Sequence, residues 1–112
     1  MSREGNRIEF SAEELKLLEI IAAFGDFKIE RLNLSPLSSS DIKRAEATMD
    51  RVFNRTETEQ KQIGNCTLWT QLGRVFDELN QVGRSESCFR IAHLQDPTFA
   101  PAWYYQRLVW HL

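Results

Sequence analysis

One run constrains this chain more than any other: Trp69-Thr70-Gln71-Leu72-Gly73-Arg74-Val75-Phe76. Trp69, Leu72, Phe76 and Leu79 recur every three or four residues, the spacing of one face of a helix. Gly73 lies one turn after Trp69 on that side. A residue with no side chain there lets another helix come close. A second helix is predicted from about Gly83 to Leu94, with Phe89 and Ala92 facing the first. Asp96-Pro97 ends it, because proline cannot continue the hydrogen-bond ladder. The aromatic positions then return thirty-four residues on, Trp69 as Trp103 and Phe76 as Trp110. Pro101 suits the first turn of a third helix running to Leu112.

Upstream, Ser11 and Glu14 have capping-box spacing. Leu17, Leu18, Ile21 and Phe24 form an apolar stripe, and Gly25-Asp26 is a stop. The first helix is therefore read as Ser11–Phe24. The stretch 27–34 reads as an extended segment or a short irregular helix packed on the core. Ser35-Pro36-Leu37-Ser38-Ser39-Ser40 is a linker that leads into a helix over about Asp41–Phe53. Thr56 and Glu59 repeat the capping-box spacing. From there one helix runs on into the repeat, or Gly64-Asn65 separates two. The chain thus reads as all-α: a flexible tail over 1–10, then a single helical domain over 11–112.

The bulk numbers narrow the function. The 112 residues are 42% hydrophobic and 27% charged, with a net charge of −2. That balance provides no general field for nucleic acid or an anionic membrane. No apolar run is long enough to span a bilayer, and no signal-like segment follows the polar N-terminus, so a cytoplasmic chain is expected. Cys66 and Cys88 lack metal-ligand spacing, and His93 and His111 stand far from any cluster of ligand spacing. No nucleotide loop, nucleophile elbow or metal triad is present, so no enzyme, cofactor or metal is expected.

The Trp69–Phe76 run, with Phe89, Ala92 and Pro97, resembles the tetratricopeptide repeat family. The resemblance covers about residues 66–112: a repeat unit over 66–99 and a C-terminal capping helix over 100–112. Residues 11–63 are N-terminal helices or a divergent repeat; thirty-four residues before Trp69 stands Ser35, and before Pro97 stands Ile63, neither of which fits. There are departures. Ser85 replaces the usual alanine four residues before Phe89. Asn80 stands where the family often has glycine, and asparagine tolerates the left-handed conformation. Gln106 and Arg107 stand where Leu72 and Gly73 stand in the complete unit.

The resemblance implies antiparallel helix pairs stacked as a short α-solenoid with a concave groove. It implies a non-enzymatic interaction module that binds a peptide or helix of another protein. Thr70, Gln71 and Arg74, with Asp77 and Glu78 beyond, would face the groove from one helix, and Tyr104, Tyr105 and Leu108 from the next. The Lys and Asn clamp that some members use for a terminal carboxylate is not matched. Arg74 with Gln71 would hold a carboxylate or backbone oxygen instead. The short array and the aromatic last helix also allow self-association. The weaker alternative is a nucleic-acid-associated factor using Lys43, Arg44, Arg51 and Arg55. These fall within about a third of the second helix's circumference at about 100° per residue, but a solvated face is the default for such a strip.

Overall fold

The computed structural model describes residues 11–110, and for Trp110 the backbone only. The expected tail over 1–10, His111 and the side chain of Trp110 lie outside the described residues. The described chain is all-helical, in the order α1 (Ala12–Ala23), α2 (Ser39–Phe53), α3 (Glu57–Gln60), α4 (Cys66–Glu78), α5 (Val82–Gln95) and α6 (Ala100–Trp110).

The starts follow from side-chain caps. Ser11 accepts from the Glu14 N–H at 3.0 Å, and Glu14 accepts from the Ser11 N–H at 3.1 Å, closing the box that opens α1. Ser38 caps α2 two residues earlier than the pattern predicted, by accepting from the Asp41 N–H. Thr56 and Glu59 form a second box on α3. Gly64 does separate α3 from α4: its φ is +67°, a conformation that glycine adopts without strain. Asn65 then caps α4 by accepting from the Leu68 N–H at 2.8 Å.

α4 is the common neighbour, with α1, α5 and α6 all packed on it, while α2 lies against α1. Trp69, Leu72, Val75 and Phe76 are fully buried. The Trp69 indole N–H donates to the Ile63 carbonyl at 2.8 Å, so its polar atom is satisfied inside the core. Outside this centre, α2 is tied to α5 by Arg84, which grips the Asp50 carboxylate through both oxygens at 2.9 and 2.7 Å.

The α4–α5 corner shows what Gly73 is for. A Cβ on Gly73 would lie 2.8–3.0 Å from three atoms of the Phe89 ring. The close approach is therefore made by a ring, not by a second helix backbone. Ser85 lies on the same contact: its hydroxyl donates to the Gly73 carbonyl at 2.8 Å, so the polar substitute for alanine is satisfied. The turn is made by Asn80, at φ +62°. The Asn80 N–H donates to Asp77 and the Gln81 N–H to the Phe76 carbonyl, both at 2.8 Å, the paired bonds of a Schellman cap. Gly83 has no role in the turn and lies in the first turn of α5 with open space around it.

Gly73→Ala should lower the unfolding free energy by about 2 kcal/mol, because an added methyl meets a packed ring. Asn80→Gly should be neutral or stabilising, because glycine adopts this φ freely. Urea denaturation of the two variants beside the parent checks both signs.

Candidate partner-binding cleft

The buried charge beside α4 sets the site. Arg74 is only 9% exposed and has no carboxylate partner among the described residues. Its Nη1 donates to the carbonyls of Gly25 and Asp26 at 2.9 and 2.6 Å, and its Nη2 to that of Ile29 at 2.7 Å. Those carbonyls lie just past the C-terminus of α1, which has no basic residue in its own last turn. A cation there meets carbonyl oxygens, of which only that of Asp26 already accepts a backbone N–H, from Ile29, and the negative end of the helix dipole. The guanidinium carbon also sits 4.2 Å from the centroid of the Tyr105 ring.

Tyr105 carries the contact onward. Its ring stacks on Phe27 at 5.3 Å, and its hydroxyl donates to the Phe27 carbonyl at 3.2 Å. Residues 24–38, the connection from α1 to α2, are thus held between α4 and α6 at their first turn. The segment 27–34 is irregular, with no strand. Beside it opens a cleft of about 450 Å³. Glu30, Arg31 and Leu32 form one wall, Arg74, Asp77 and Glu78 another, and Tyr105, Leu108 and Val109 the third. Burial, and then the neighbouring Glu78, hold the Asp77 carboxyl above the usual carboxylate range.

The six residues expected in the groove divide. Arg74, Tyr105 and Leu108 line the cleft. Tyr104 packs its edge on Tyr105 with centroids 4.9 Å apart and is itself 59% exposed. Gln71 is half-buried, its carbonyl tight against Gly25. Thr70 is fully buried, and its hydroxyl donates to the Cys66 carbonyl one turn back at 2.7 Å. The expectation that Thr70 faces a groove is corrected, as is the free role for Arg74. α4 is covered by three helices rather than one, so the side opposite Trp69 and Leu72 is closed at Thr70 and opens only toward its C-terminal end, at Asp77 and Glu78. Arg74 does hold backbone oxygens, but they are its own chain's.

Other expected features are also placed. Arg44 pairs with Asp41 at 3.0 Å, Arg51 with Glu14 at 2.5 Å and Arg55 with Glu59 at 3.1 Å. Of the basic strip, Lys43 is exposed and the three arginines have acidic partners. Cys66 and Cys88 are free thiols, and full burial pushes the Cys88 thiol well up. No described group of three or more acidic, His or Cys residues is arranged to hold a metal ion. No described helix is long and apolar enough to cross a membrane. Trp103 is 51% exposed, whereas Trp69, thirty-four residues before it, is fully buried. The Trp103 ring stacks on His93, whose Nε2 meets Gln106 Oε1.

The cleft wall at residues 30–32 was not anticipated from sequence. The usable signal was Gly25 followed by Phe27, an apolar residue that packs on Tyr105 and Phe99 from an irregular segment close to the end of α1. No family model matches the chain, and no solved structure matches it.

Arg74→Ala should cost about 3 kcal/mol of unfolding free energy, because it leaves the buried Gly25 carbonyl without a donor, removes two further part-buried hydrogen bonds and loses the packing on Tyr105. Arg74→Lys should recover only part, because an ammonium lacks the planar fork. Thermal and urea unfolding of both variants test the order.

Proposed function

We propose that this chain is a non-enzymatic interaction module of the tetratricopeptide type, and that the cleft between α4, α6 and residues 30–32 receives a peptide or helix of another protein. The observation that carries the reading is the open cleft itself. It is a concave space whose walls mix the apolar Leu32, Tyr105, Leu108 and Val109 with charged side chains. Tyr104 and Leu108, 59% and 54% exposed, extend its apolar surface outward along α6. Tyrosine gives rigid amphipathic contact area of the kind that dominates many protein interfaces. The neighbour relations of the helices support the family reading. α1, α4 and α6 meet through α4, and α2 and α5 join through Arg84. So does the repeat geometry at Gly73, Asn80 and Phe89.

The test is selection of peptides from a random display library on the folded protein. Peptides so selected should bind Tyr104→Ala/Leu108→Ala at least tenfold more weakly, about 1.4 kcal/mol. They should bind Lys43→Ala/Arg44→Ala as they bind the parent. Equal binding to the Tyr104/Leu108 variant, or no enrichment at all, would overturn the reading.

A further inference from the structure

We infer that the cleft recognises a cationic side chain, lysine or arginine, next to an apolar residue on the partner segment. This rests on the cleft being the partner site. Its basis is an ion pair that the fold leaves unmade. Asp77 and Glu78 follow Arg74 by three and four residues, the spacing at which a helix ordinarily pairs opposite charges. Here the Arg74 guanidinium points the other way, onto three carbonyls and the Tyr105 ring. Asp77 and Glu78 are left with no ion pair or side-chain hydrogen bond among the described residues. Glu30, which is exposed, adds a third carboxylate from the facing wall to the half-buried Asp77 and the exposed Glu78.

Against these three acids the described lining of the cleft sets two cations: Arg31, exposed on the same wall as Glu30, and Arg74, whose charge remains although its N–H groups are taken up by neutral carbonyls. The accessible balance is therefore acidic. The Asp77 carboxyl is held in its charged form only at a cost, through burial and through Glu78. A cation brought between the two screens their repulsion, and its attraction offsets the cost of keeping the half-buried Asp77 charged. The floor completes the fit. The methylene stem of a lysine or arginine lies well on an apolar surface such as Tyr105 and Leu108 while its head stays at the polar rim. An acidic segment would meet like charge at the rim, which complementary interfaces avoid.

The experiment is an amide-resolved NMR titration of the full chain. The probes are three short, capped peptide pools with arginine, glutamine or glutamate fixed at the centre and random small or apolar residues around it. The arginine pool should shift the amides of Asp77, Glu78, Tyr105 and Leu108, and should bind roughly two- to thirtyfold more tightly than the glutamine pool, the range for two partly exposed ion pairs. That advantage should vanish in Asp77→Asn/Glu78→Gln and shrink in about 0.5 M salt. Both substitutions keep side-chain size, and the thermal midpoint of the variant verifies its fold. Equal binding of the arginine and glutamine pools at the cleft would overturn the charge inference and leave the partner site standing. If no pool shifted the cleft amides, or if the arginine pool bound elsewhere, both would fall.

Discussion

A guanidinium enclosed by protein is tolerable only if its N–H groups find acceptors, and much of this structure follows from how Arg74 finds them. Burying an unpaired cation costs several kcal/mol or more. Arg74 is served by three carbonyls from Gly25 to Ile29. For those oxygens to reach it, the end of α1 must lie directly on α4. Gly25 permits this, since a Cβ there would sit 2.5 Å from the Gln71 carbonyl oxygen. Once the segment is held, Phe27 meets Tyr105 and Phe99, and α6 is joined to the α1–α4 contact. One charge thus ties together three helices that are far apart in sequence. It also determines where the cleft opens and leaves Asp77 and Glu78 without their usual partner.

The α4–α5 corner rests on different physics. Its contacts are local: a missing side chain at Gly73, a ring at Phe89, a hydroxyl at Ser85 and a left-handed residue at Asn80. Such a unit needs little long-range closure, so it suits an early-forming centre. The Arg74 contacts span forty-five or more residues, so they bear the larger loop-closure cost and complete the fold around that centre.

The same division explains what was legible in the sequence. Ser11 with Glu14, Thr56 with Glu59, and Asn80 announced their structures because caps and turns depend on near neighbours. Gly73 signalled a close contact, although it took coordinates to show that the contact is a ring. Tyr105 and Leu108 were expected at a groove from the repeat resemblance, and both line the cleft. Thr70 was misplaced because a single apolar face implies a single covering helix, and α4 has three. The binding partners of Arg74 were not legible at all. Backbone carbonyls carry no side-chain signature, and nothing in residues 25–29 marks them as a cation's acceptors.

The interaction reading therefore depends on a cleft whose far wall is held by Arg74. The most direct measurement is a nuclear Overhauser spectrum of the aromatic and arginine side chains. The account predicts strong cross-peaks from the Tyr105 ring to both the Phe27 ring and the Arg74 methylenes, with the Phe27–Leu32 amides dispersed. Absence of those cross-peaks, with the 27–32 amides at random-coil positions, would contradict it, because the cleft would then have no second wall.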